Sequence, residues 1–157
     1  MLRLSRYVFA LRKGAVIDSK APAGGAAAGQ MVILPVYENV NISGLGASST
    51  SFTAYVADNV SGTFVIAGVT ATFGTASSSG TLQVEVATGT QATGSGTNQL
   101  TGTISLAGTA NTPVNGTVVA AASLVNITAG CRINVILAGT MTSLANCSVN
   151  VVLQRTA

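Results

Sequence analysis

An all-β domain of two packed antiparallel sheets, preceded by an extended or partly helical N-terminal arm, is the fold this sequence predicts. Three observations lead there. From Met31 onward, short runs of alternating apolar and polar residues are separated by clusters of Gly, Ser, Asn and Thr, which is the pattern of strands joined by turns. Apolar residues at helical spacing do not recur beyond that point. The chain has 157 residues and is 48% hydrophobic but only 7% charged, so it has enough apolar material for one core and little of the charge that covers an ordinary soluble domain.

Residues 1–30 read as a basic arm and linker, and residues 31–157 as the domain. In Leu4 to Lys13, the residues Leu4, Tyr7, Val8 and Leu11 share one helical face, and Gly14 is a plausible stop. Ten residues are marginal as an isolated helix, so this segment is expected to order on a partner. Ala21 to Gly29 contains only Ala, Gly and one Pro, a flexible linker composition. The arm carries Arg3, Arg6, Arg12, Lys13 and Lys20 against Asp18 alone, so it holds more than the whole formal charge of +3. The remainder is slightly negative, with Arg132 and Arg155 against Glu38, Asp58 and Glu85, which argues against nucleic-acid binding by the body.

Strand runs follow in order: Val32/Leu34/Val36, Phe52/Ala54/Val56, Phe64/Ile66, Val69/Ala71/Phe73, Leu82/Val84/Val86, Leu100/Ile104/Leu106, Val114/Val118, Ile133/Val135/Leu137 and Val149/Val151/Leu153. The two-residue period directs these inward and sends Gln83, Glu85, Asn150 and Gln154 outward. Pro35 marks the first run as an edge strand. The phase slips between Ile66 and Val69 across Gly68, which predicts a bulge, or a bend where the strand passes to the second sheet. Residues 88–99 form the longest polar loop, expected at one end of the sandwich. About eight antiparallel strands with several connections too long for tight hairpins favour a jelly-roll sandwich. The immunoglobulin-like alternative is weakened by the lack of Trp and by cysteines spaced too closely for its inter-sheet pair.

Catalytic readings fail on inventory. The chain has no His, so the usual general base, the commonest metal ligand and any Ser-His triad are missing. Its four carboxylates, Asp18, Glu38, Asp58 and Glu85, are scattered, and two cysteines do not complete a structural zinc site. Gly44-Leu-Gly46 and Gly94-Ser-Gly96 lack the spacing and the Lys of a phosphate loop and read as turns. No enzyme activity, cofactor or metal is expected. Cys131 and Cys147 are expected as free, buried thiols, and five Asn-x-Ser/Thr sequons are what chance supplies in a chain this rich in Asn, Ser and Thr. Tyr7 to Leu11 is too short for a signal peptide core, and no apolar run reaches membrane-span length.

The arm is the strongest functional candidate. Arg3, Arg6, Arg12 and Lys13 offer charge for carboxylates, while Tyr7, Val8, Phe9 and Leu11 offer an apolar face for a groove. A solvated tail is the default for a terminus, but a tail kept in water has no use for these apolar residues. In the body, Tyr37 and Tyr55 fall opposite the main apolar residues of their strands. Together with Arg132 and Arg155, each of which has Glu38, Asp58 or Glu85 as an ion-pair partner in prospect, they are candidates for inter-subunit contacts.

Three phrases, Val69 to Val86, Leu100 to Thr112 and Ala129 to Thr140, give residues 50–155 a resemblance to the small jelly-roll decoration, or cement, proteins that coat the heads of tailed bacteriophages. The resemblance implies a homotrimer on the capsid exterior, made in the host cytoplasm and bound to the major capsid protein, with no membrane or nucleic-acid partner. The arm has no counterpart in that resemblance, so its anchoring role is inferred from charge and apolar content. The competing reading is a receptor- or glycan-binding, fibre-associated virion module that uses residues 88–99. Its weakness is the 4% aromatic content, which leaves little for sugar stacking.

Overall fold

A computed structural model describes residues 37–57 and 62–156. The arm residues Arg3, Arg6, Tyr7, Val8, Phe9, Leu11, Arg12 and Lys13, the linker, the Val32/Leu34/Val36 run with Pro35, and Asp58 lie outside the described residues. The described residues form nine strands: β1 Tyr37–Leu45, β2 Phe52–Val56, β3 Phe64–Thr72, β4 Thr81–Ala87, β5 Thr97–Asn98, β6 Ile104–Ser105, β7 Val114–Gly116, β8 Arg132–Ala138 and β9 Cys147–Arg155. A single 3-10 turn, Ala121–Ser123, is the only helical element among the described residues.

The strands form two antiparallel sheets that pack as a β-sandwich. One, sheet A, runs β1-β9-β3-β7, and the other, sheet B, runs β2-β8-β4-β5 with β6 also on β4. Successive strands alternate between sheets through β4. The pairings β1–β9, β2–β8, β3–β7 and β4–β5 nest inside one another as in one long hairpin, and β3–β9 and β4–β8 join the nested pairs laterally.

The core lies where the alternation directs it. Leu82, Val84 and Val86 of β4, Ile133 and Val135 of β8, and Val149, Val151 and Leu153 of β9 are all buried and meet Ile66, Val69, Ala71 and Phe73 from β3 and its end. Burying such side chains contributes roughly 1.5–3 kcal/mol each before entropy is counted.

Several expectations change in the folded chain. The Ile66–Val69 slip is a bulge, as the register shift between Ile66 and Gly68 against β9 shows. The strand does not pass to the second sheet, because β9 pairs with it on both sides of the bulge. A second bulge, between Thr53 and Tyr55 against β8, inverts the end of β2. Tyr55 lies opposite the buried Ile133 and packs on the core, while Val56 turns outward at 45% exposure. The outward reading of Tyr55 is thereby corrected; one extra residue reverses every side chain that follows it.

Leu100, Ile104 and Leu106 are buried as expected but do not form one strand. Only Ile104–Ser105 is regular, and Leu100 makes an isolated bridge to Val118. Strand β1 was not foreseen, although Val40 and Ile42 pack on the core and alternate with the exposed Asn39 and Asn41.

Candidate functional site

The densest polar cluster lies on the outer face of sheet B. Antiparallel register sets Thr53 of β2 beside Asn134 of β8, Asn134 beside Glu85 of β4, and Glu85 beside Asn98 of β5. The adjoining row is Val56, Arg132 and Ala87. By strand phase these side chains point to solvent. Glu85 is nevertheless only 2% exposed and Asn134 is fully buried.

The loop after β4 folds back over the sheet and covers them. Gly94 N–H donates to Glu85 Oε1 at 2.7 Å, Gly96 N–H to Oε2 at 3.1 Å, and Asn134 Nδ2 to Oε1 at 2.8 Å. Thr53 Oγ1 donates to Asn134 Oδ1 at 2.8 Å and lies 3.5 Å from Thr93 Oγ1. Glycine is required at both loop contacts. Gly94 has φ +88°, and a Cβ at Gly96 would come within 2.7 Å of the Val86 carbonyl oxygen. The turn reading of Gly94-Ser-Gly96 therefore holds, while the placement of the loop is refined: it starts at an end of the sandwich and lies down on the face of sheet B.

Arg132 clasps the same loop. Its Nη2 donates to the Gly89 carbonyl at 3.1 Å and to the Gln91 carbonyl, while its Nε is buried without a partner. These partners are backbone carbonyls, so Arg132 fastens the loop, while Asp58, one of its prospective carboxylate partners, lies outside the described residues. At the far end of the loop, fully buried Gln99 bonds through Nε2 to the Thr97 and Asn98 carbonyls, at 3.0 and 3.1 Å, and accepts from Val125 N–H at 3.0 Å. The sequence reading placed Gln99 in a solvated loop. Its one signal was the apolar Leu100 directly after it.

The four body candidates do not gather into one patch. Tyr37 is 56% exposed on the outer face of sheet A, Tyr55 packs inward, Arg132 sits under the loop, and the Arg155 guanidinium lies 5.9 Å from the centre of the Phe64 ring. Chemically, the Glu85 carboxylate is buried and accepts from three N–H donors, the reverse of a cation site. Among the described residues, no three His, Cys, Asp or Glu side chains stand close enough to hold a metal ion, and no helix is long and apolar enough to cross a membrane. The cluster works as a latch that fastens a loop to a sheet.

Cys131 and Cys147 are free and buried, and burial pushes the Cys147 thiol up from its ordinary value. The folded state then holds this proton more tightly than the unfolded chain does. Its contribution is intact below the unfolded thiol pKa of about 8.5 and is lost as pH rises above it. Urea unfolding between about pH 7 and pH 10 should show stability falling with pH, less steeply in Cys147→Ala; equal slopes would mean that Cys147 plays no part.

No protein-family model, curated protein or solved structure matches this chain.

Proposed function

We propose that the chain is a structural decoration subunit that binds the outside of a phage head shell and stabilises it, as a trimer anchored by its N-terminal arm. The observation that carries this reading is the near absence of ions on the body. Glu38, Glu85, Arg132 and Arg155 are the charged groups among the described residues, with Glu85 buried and Arg132 tied to loop carbonyls. A body of balanced, sparse charge has little electrostatic resistance to close packing against neutral neighbours.

The nested pairing of the strands supports a jelly roll as the topology, since rolling one long hairpin into two sheets yields this arrangement. The glycan-binding alternative drew on residues 88–99 as a recognition loop. Gly94 and Gly96 spend their amides on Glu85 instead, so that reading gains no support.

Removing residues 1–20 tests the anchor. Co-sedimentation with purified head shells should show loss of binding while the body remains folded by circular dichroism. Undiminished binding would remove the arm from the mechanism.

A further inference from the structure

The chain has no His, and Asp18, Glu38, Asp58 and Glu85 are its only carboxylate side chains. Between neutral pH and about pH 3, these four and the C-terminus are the groups that change charge. Asp18 and Asp58 lie outside the described residues, and Glu38 stands on β1 in sheet A. Among the described residues, Glu85 is therefore the one carboxylate in the polar cluster on sheet B. Its surroundings are otherwise neutral with one exception. Strand β5 sets Asn98 opposite Glu85, the loop 88–96 carries no charged residue, and β8 contributes Asn134 and, two residues along, Arg132. Arg132 keeps its charge over this whole range.

The direction of the hydrogen bonds decides what a proton on Glu85 would do. Gly94 N–H, Gly96 N–H and Asn134 Nδ2 all donate to this carboxylate. Asn134 is not free to turn over, because Thr53 Oγ1 donates to its Oδ1 at 2.8 Å and commits its NH₂ group to Glu85. An ionised carboxylate only accepts, whereas a protonated one carries an O–H that needs an acceptor of its own. Protonation thus sets a new donor against three existing ones, at a side chain 2% exposed. A buried donor left without a partner is unfavourable, and lifting the loop so that water can reach it is the relief this geometry allows.

We infer that Glu85 is an acid-release switch: on taking up a proton it lets go of Gly94 and Gly96, and residues 92–96 leave the face of sheet B while the sandwich stays folded. Fastenings that do not titrate bound the moving part. Arg132 holds the Gly89 and Gln91 carbonyls on one side. On the other, Thr97 and Asn98 pair with Val86 and Glu85 in the ladder, and buried Gln99 bonds to both of their carbonyls and to Val125 N–H. Gly94, at φ +88°, and Gly96 lie between these anchors and give the freed stretch its backbone freedom. Release uncovers Thr53 and Asn134, a neutral hydrogen-bonding strip that is sealed at neutral pH. The switch belongs to the body alone and depends on neither the shell nor the arm.

Heteronuclear NMR of the full chain, titrated from about pH 7 to about pH 3, reads the switch directly. Glu38 and Glu85 are the only glutamates, so the Glu85 carboxyl carbon can be followed beside the Gly94 and Gly96 amides. All three signals should move with one shared midpoint. Amide protection at residues 92–96 should fall by about 10-fold or more across it, while Val84 and Val135 in the core stay protected. Glu85→Gln cannot titrate and should hold the two glycine signals at one position throughout. A variant carrying Asp18→Asn, Glu38→Gln and Asp58→Asn should respond as wild type does. The assignment is overturned by a Glu85 carboxyl still ionised at the acid end, by a loop that stays protected after Glu85 has titrated, by loss of loop and core in one step, or by an unchanged response in Glu85→Gln. The wild-type signals alone decide the first three, so the test stands even if Glu85→Gln does not fold.

Discussion

Replacing Glu85 with Ala should destabilise the body by about 3–5 kcal/mol, a large share of the stability of a domain this size. The substitution removes one buried acceptor group and strands the Gly94 and Gly96 N–H groups and the Asn134 carboxamide. Hydrogen bonds to a charged group contribute about 1.5–3 kcal/mol net, and each buried donor left alone costs about 1–3 kcal/mol more. Part of this is recovered because the loop can lift and let water reach the freed amides, which keeps the total below the simple sum. Lifting has its own signature: limited proteolysis should cut between Thr88 and Gly96 faster in the variant. Glu85→Gln keeps one oxygen acceptor but turns an NH₂ group toward a backbone donor, so it should fall between wild type and Ala, at about 1.5–3 kcal/mol. Urea unfolding measures both. A Glu85→Ala midpoint within error of wild type would show that the loop is not fastened through this carboxylate.

Phe73→Ala should cost a similar amount, about 3–5 kcal/mol, for a different reason. Phe73 heads the fully buried side chains by volume, just past the end of β3, where its carbonyl also accepts from Asn111 N–H at 2.7 Å. Truncation opens a cavity between two sheets whose hydrogen bonding resists collapse, so little of the lost contact returns. Phe52→Ala supplies the contrast. Phe52 is only partly buried on the edge strand β2, and its removal should cost about 1–2 kcal/mol. Equal losses at the two positions would contradict the burial difference between them.

The parts of this fold that could be read from the chain are those governed by one local rule. In β4 apolar and polar residues alternate, and in β8 and β9 every second residue is apolar although Ile136 and Val152 add apolar residues in the outward phase; Leu82/Val84/Val86, Ile133/Val135 and Val149/Val151/Leu153 all lie in the core. Where a bulge interrupts the count, the rule loses its phase. Gly68 announced one bulge, but nothing in Phe52-Thr-Ala-Tyr-Val56 announces the other, so Tyr55 and Val56 exchanged faces. Strand β1 escaped notice because Asn, Ser and Gly dilute its inward apolar residues, Val40, Ile42 and Leu45, and such diluting residues commonly signal turns.

The polar cluster was illegible for another reason. Strand period correctly sends Glu85 outward, yet its burial depends on nine residues of loop returning to cover it, a tertiary event with no local periodicity. Gln99 belongs to the same class. Both are polar residues held largely by backbone groups, with Asn134 the one side-chain partner of Glu85, and backbone partners leave no mark in the identity of the surrounding side chains.

The order of strands in sheet A also bears on when the molecule can take shape. Strand β9, last to be synthesised, lies between β1 and β3, so neither neighbour finds its lateral partner until Arg155 has cleared the ribosome. Pairing of Tyr37 with Gln154 closes a loop of over a hundred residues, and chains dominated by such distant contacts cross their folding barrier slowly, in milliseconds to seconds. Through translation, β1 and β2 wait without a pairing strand until β9 and β8 emerge; a nascent chain this poor in charge has few gatekeepers against premature aggregation.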